Sequence, residues 1–167
     1  MHTQETTCCF TGHRPAKLPW GSDENDERCI LAGQKLREQL QDLIGNGYRH
    51  FLCGMALGSD MLFAEAVLEL KEQYSDITLN AAVPCETQAH RWNAAQKARY
   101  KDILARCDSV KTFQERYTPG CMQTRNKYMV DNSSAIITYY NGLPGGTMTT
   151  IVYAQRQGLD IRMIDIS

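Results

Sequence analysis

The sequence lacks the marks of several protein classes. No apolar run approaches the roughly 20 residues that a membrane-spanning helix needs, so no membrane partner is expected. The start, Met1-His2-Thr3-Gln4-Glu5, has neither a basic segment nor an apolar core, which points away from a secretory leader and toward the cytoplasm. The seven cysteines, at 8, 9, 29, 53, 85, 107 and 121, are odd in number and form no Cys-x-x-Cys pair. Without export they read as reduced thiols and not as a disulfide frame. The same spacing offers no zinc site, and no metal is expected. Internal repeats, low-complexity tracts and linkers are missing, so residues 1–167 read as a single domain. The overall charge is only −1, which argues against wholesale coating of nucleic acid. It is unevenly spread, however, at −5 over residues 1–84 and +4 over residues 85–167. The second half therefore favours an anionic ligand or carries a solvated basic helix face.

What is present is an ordinary globular composition, 43% hydrophobic and 22% charged, in a chain long enough to bury about 70% of its unfolded surface. Short β-rich runs alternate with helical ones. Strands are predicted at 6–11, 48–53, 77–83, 109–113, 134–140 and 161–166. The first helix is expected to be capped by Ser22 and to bury Cys29, Ala32, Leu36, Leu40 and Leu43, which recur at helical spacing. Further helices are predicted at 59–74, 87–107 and 122–132, and from the Gly145 region to Gln157. The second is apolar on nearly all sides (Met61 to Leu70), which fits burial in the core or in a homo-oligomer interface. Six strands joined by five helical crossovers specify a Rossmann-like three-layer α/β sandwich with a mainly parallel sheet.

Such sheets bind ligands beyond the carboxyl ends of their strands. The loops placed there hold the unusual chemistry. Gly54-Met55-Ala56-Leu57-Gly58-Ser59-Asp60 joins a strand to a helix N-terminus, where glycines admit close approach and free amides attract anions. It is neither GxGxxG nor a P-loop. Asp60 suits a ribose hydroxyl or the first turn of its own helix. Pro144-Gly145-Gly146-Thr147-Met148-Thr149 is a second glycine loop at a similar junction. It is able to cradle phosphate, or Thr147 or Thr149 simply caps the helix. Gly12-His13-Arg14-Pro15 offers Arg14 as a bidentate phosphate ligand and His13 as an acid or base near neutral pH, or both as plain turn residues. Pro84 closes the third strand. Glu86 beside it either acts on a glycosidic bond or occupies a helix first turn. Arg125 and Asn126, at the start of the fourth helix, reach an anion or the solvent. Trp20, Trp92 and Tyr117 stack on a base or anchor the core. No Ser-His-Asp order or HExxH motif stands out.

Thr11-Gly12-His13-Arg14-Pro15, Gly58 with Asp60, Ala64 and Glu65, Asn126 to Asp131, and Gly145-Gly146-Thr147 together resemble the YpsA-like family of the SLOG superfamily, in order from about residue 6 to 166. The resemblance implies a Rossmann-like fold that binds a nucleotide or related ligand, ADP-ribose-like molecules included. It also implies a link to bacterial cell division. Related groups are the Lonely Guy phosphoribohydrolases and the single-strand-binding DNA-processing protein A. The PGGxGTxxE loop of the Lonely Guy enzymes matches at Pro144, Gly145, Gly146 and Thr149, but Met148 replaces a glycine and Val152 stands where the catalytic glutamate belongs. A hydrolase of this kind needs a carboxylate beside the glycosidic carbon. The catalytic candidates are then Asp60, Glu86 and His13, or the domain only binds.

The expected ligand-binding set is Gly12, His13, Arg14, Gly54, Ala56, Gly58, Ser59, Asp60, Pro84, Arg125, Asn126, Gly145, Gly146, Thr147 and Thr149. The expected partner is a small nucleotide ligand, and beyond it no cofactor is specified. N-glycosidic hydrolysis is the alternative. Association with DNA ranks last, because aromatic residues are not interleaved with basic ones as in single-strand binders.

Overall fold

A computed structural model of the chain describes residues 3–167. Met1 and His2, where the reading of the amino terminus begins, lie outside the described residues. Six strands alternate with five α-helices: β1 (Thr7–Thr11), α1 (Glu27–Gly45), β2 (His50–Cys53), α2 (Ser59–Lys71), β3 (Thr78–Val83), α3 (Ala94–Arg106), β4 (Ser109–Thr112), α4 (Cys121–Asp131), β5 (Ala135–Tyr140), α5 (Gly146–Arg156) and β6 (Asp160–Asp165). All strand pairs are parallel, in the order β4-β3-β2-β1-β5-β6. The chain thus forms the Rossmann-like α/β sandwich that its alternating pattern specifies.

The strand order positions the site. From β1 the chain lays down β2, β3 and β4 toward one edge, then returns to place β5 and β6 on the other side of β1. The carboxyl ends of β1 and β5 therefore flank the reversal point, where open α/β sheets leave a crevice.

Helices α1, α2 and α3 cover one sheet face, where Phe10, Phe51 and Tyr139 meet Leu36, Leu40, Phe63 and Ile103. Helices α4 and α5 cover the other, with Cys9, Leu52 and Ile136 against Met129, Val130 and Ala154. Adjacent strand residues go to opposite layers, as the pleat requires. Phe10 stacks on Phe63 at 4.7 Å and meets Tyr139 edge-on at 5.5 Å. The apolar residues of α2, among them Met61, Phe63, Val67 and Leu70, are buried within the single chain. All seven cysteines are free thiols. No helix among the described residues is long and apolar enough to cross a membrane.

Two helix starts differ from expectation. Ser22 does not cap α1. Asp26 does, accepting the Arg28 N–H at 2.8 Å. Residues 18–26 first form successive turns, which seat Trp20 in the core edge-on to Tyr139. Helix α3 begins at Ala94 and not near Thr87. Asn93 and Gln96 form a reciprocal capping box, and the turns before it pack Trp92 edge-on to Tyr100 at 5.0 Å.

Candidate functional site

At the reversal point lies a cleft of about 360 Å³. The β1 end supplies Gly12, His13 and Arg14, and the short 3-10 turn Pro15–Lys17 brings Lys17 back to the cleft. Ala56 and Asp60 enter from the β2–α2 junction. Arg125 and Asn126 enter from α4, and Gly146 and Thr147 from the first turn of α5.

Arg14 and Lys17 are exposed, and neither pairs with a carboxylate among the described residues. Arg14 makes one weak contact, to the Met122 sulfur at 3.9 Å. Lys17 lies over the glycine loop: a Cβ placed on Gly145 would come within 2.7 Å of its Nζ. Lys17 thus stands at the positive end of α5 and Arg14 at the first turn of α4, in one cleft, a combination that attracts anions.

Arg125 has a different job. It is 4% exposed, and its guanidinium donates to the carbonyls of Gly54 and Ala82 and, at 2.8 Å, to Asn126 Oδ1. Asn126 passes the link on to the Thr150 hydroxyl at 3.1 Å, and Thr150 donates to the Gly146 carbonyl at 3.0 Å. This chain of bonds ties the ends of β2 and β3 to α4 and to the start of α5. Burial pulls the guanidinium below its ordinary pKa, with Asp60 opposing. Asp60 is also buried and accepts the Ala56 N–H at 3.0 Å. Desolvation pushes its carboxyl above the ordinary carboxylate range, although Arg125, the Ala56 amide and Arg14 pull it down. Asp60 is the one carboxylate lining the cleft among the described residues.

His13 is 4% exposed, and both its nitrogens are engaged. Nε2 accepts the Asn141 N–H at 3.2 Å, so the proton belongs on Nδ1, which faces the Thr147 hydroxyl at 3.3 Å. Desolvation, and then the nearby Lys17 charge, hold its pKa below 6.5. The ring is a neutral brace between the β1 and β5 loops and not an exposed acid. Because the unfolded chain binds this proton more readily than the folded one, stability is fully present above the unfolded pKa and falls as pH drops through it toward the folded value. Urea unfolding of wild type and His13→Gln between pH 7.5 and 5 should show a steeper loss in wild type. Parallel pH profiles would remove this role.

The remaining expected residues lie behind or beside the cleft. Ser59 is fully buried and donates its hydroxyl to the His13 carbonyl at 2.8 Å. Gly54 backs onto Arg125, and Gly58 onto His13 and Pro15. Pro84 is buried away from the cleft lining, and Glu86 is exposed, its backbone N–H bonded to the Gln114 carbonyl. Thr149 turns outward and donates to the Gly145 carbonyl. Tyr117 is 61% exposed, whereas Trp20 and Trp92 are packing residues. Lys17 and Met122 escaped the sequence reading. The proline-led turn right after Arg14 was the available signal for Lys17.

The sequence profile of the YpsA family, described as the YspA SLOG family, matches residues 8–166. The chain belongs to this SLOG family. It is 34% identical over 136 residues to the SPbeta prophage-derived protein YoqJ of Bacillus subtilis, covering 73% of this chain and 79% of that one. It is 31% identical over 163 residues to a UPF0398 protein of Halalkalibacterium halodurans, covering 93% and 85%. In fold, this SLOG domain resembles DNA processing protein A from Helicobacter pylori, described for its single-stranded DNA binding mode (TM-score 0.64, 18% identity, 94% of this chain). It likewise resembles DNA processing protein A from Streptococcus pneumoniae (TM-score 0.65, 14% identity, 97% of this chain). The SLOG domain spans 64% and 51% of those two proteins' lengths. Val152, at the Lonely Guy glutamate position, is half-buried in α5 and outside the cleft lining.

Proposed function

We propose that the cleft between β1 and β5 binds a nucleotide-derived anion, a nucleoside phosphate or an ADP-ribose-like molecule. The observation that carries this reading is the pair of unpaired cations, Arg14 and Lys17, lining one open hollow together with the first turn of α5. The phosphate end belongs there, where charge-assisted bonds are strongest. Asp60 and Asn126, which also line the cleft, supply an acceptor and an amide suited to ribose hydroxyls. The volume lies at the lower end of the range for small-molecule pockets.

Calorimetric titration with ADP-ribose, AMP and NAD tests the reading. Arg14→Ala should weaken binding by about 10- to 100-fold, the loss of a bond to a charged group. Absence of binding below millimolar concentration, or an unchanged Kd in Arg14→Ala, refutes it. If the bound nucleotide is also cleaved at its glycosidic bond, Asp60 is the available carboxylate, and Asp60→Asn should abolish turnover.

A second reading, single-stranded nucleic acid, is favoured by one feature. Lys111 lies over the Phe113 and Tyr128 rings at 5.3 and 5.4 Å, and Lys127 over Tyr153 at 5.6 Å. Basic and aromatic residues are thus brought together in space although not in sequence. Fluorescence anisotropy with a labelled oligonucleotide should then show salt-dependent binding lost in Lys111→Ala/Lys127→Ala. Failure to bind even at low salt removes this reading.

A further inference from the structure

A second hollow, of about 300 Å³, lies between α1 and α2, on the sheet face covered by the first three helices. Its walls are largely apolar: Cys29, Ile30 and Leu36 from α1, Leu62 and Ala66 from α2. The small Gly33 and Ala66 keep it open. The charges at its rim are already matched. Arg37 bonds Glu69 at 3.0 Å across one end, and Arg99 bridges Glu24 and Glu65 at the other. Among the described residues lining it, no unpaired cation is left to hold an anion.

The floor is Tyr139, whose side chain is fully buried and whose hydroxyl has no hydrogen-bond partner among the described residues. Tyr139 is the one strand residue among those lining the groove, entering it from β5. A buried phenol normally finds a partner. The ring itself is held by Phe10 and Trp20, edge-on at 5.5 and 6.0 Å, so the hydroxyl is fixed in place.

We infer that this groove is a second ligand site, for a small, neutral or weakly basic, flat apolar molecule whose single hydrogen-bond acceptor takes the Tyr139 O–H. Apolar walls select an aromatic body, the neutralised rim disfavours an anion, and the one free donor at the base requires an acceptor at the leading end of the ligand. The site is separate from the nucleotide cleft: no residue lines both, and its chemistry is opposite in character.

The test uses a matched pair of probes, quinoline, whose ring nitrogen accepts a hydrogen bond, and naphthalene, which has the same shape and no acceptor. Backbone amide NMR shifts are followed on the full chain during titration. Quinoline should perturb residues around Cys29, Ala66 and Tyr139 and bind about fivefold more tightly than naphthalene, the value of one net hydrogen bond. Tyr139→Phe keeps the ring and should equalise the two probes. Gly33→Leu fills the groove from its exposed side and should remove both. No perturbation at the groove, equal affinities in wild type, or a quinoline preference that survives Tyr139→Phe would each overturn the inference.

Discussion

Replacing Arg125 by methionine should destabilise the protein by about 3–4 kcal/mol, a drop of about 10 °C in Tm for a domain of this size. The side chain lies under the cleft, and its role is architectural. Its guanidinium donates to two backbone carbonyls, Gly54 and Ala82, at the ends of neighbouring strands β2 and β3. Methionine fills comparable space but leaves both oxygens without this donor, and each such loss costs about 1–3 kcal/mol. The link through Asn126 to Thr150 slackens at the same time. Gly54 belongs to this arrangement, because a Cβ there would lie within 2.6 Å of Arg125 Cζ. Lysine should not rescue the variant, since one ammonium does not reproduce the planar fork that serves three acceptors.

Asp60 adds a second layer to this result. Arg125 is the strongest influence holding its carboxyl down against burial. Without that charge the Asp60 pKa should climb further, and Arg125→Met should lose stability most strongly at pH values where Asp60 is ionised. Asp60→Asn keeps the acceptor for the Ala56 N–H and removes the charge. In a double-mutant cycle, Asp60→Asn should recover about 1 kcal/mol in the Arg125→Met background. Denaturant unfolding of the four proteins at pH 7 measures this directly, and strictly additive losses would separate the two residues.

The architecture was legible because alternation of buried β-runs with helices leaves few other solutions. The apolar stripe of α1 and the two glycine junctions marked which loops share the carboxyl edge. Less legible was which loop residues face the ligand. Ser59, Gly54 and Gly58 sit in the same short motif as Ala56 and Asp60, yet only the latter two line the cleft. That division depends on how the loop is pinned by residues distant in sequence, His13 for Ser59 and Arg125 for Gly54. Arg125 and Arg14 show the same limit: one side chain type serves as a buried brace in one place and as a free cation in the other. The α3 start was readable, since Asn93 followed by Gln96 is a capping pair. Choosing Asp26 over Ser22 was not, because the turn that buries Trp20 decides it.

Gly58→Ala should cost about 3 kcal/mol of stability and weaken nucleotide binding by more than its distance from the ligand suggests. Gly58 has φ +86°, a left-handed conformation that carries strain for any residue with a Cβ. It also backs directly onto the β1 loop: an added Cβ would lie 2.9 Å from the His13 carbonyl oxygen and 2.9 Å from Pro15 Cδ. Both contacts involve backbone or a ring, which do not swing aside, so the β1 loop must shift. The His13 carbonyl accepts from the Ser59 N–H at 3.2 Å and the Ser59 hydroxyl at 2.8 Å, and these bonds hold Arg14 at the cleft wall. Pushing the loop away displaces Arg14 and Lys17 together. The variant should therefore lose affinity for ADP-ribose or AMP, whichever binds, by about as much as Arg14→Ala, while Ser59→Ala, which removes one bond without a clash, should show a smaller loss in both stability and Kd. If Gly58→Ala binds normally at a temperature where it remains folded, the docking of the β1 loop against α2 does not position the anion site, and the cations must reach the ligand from a mobile loop instead.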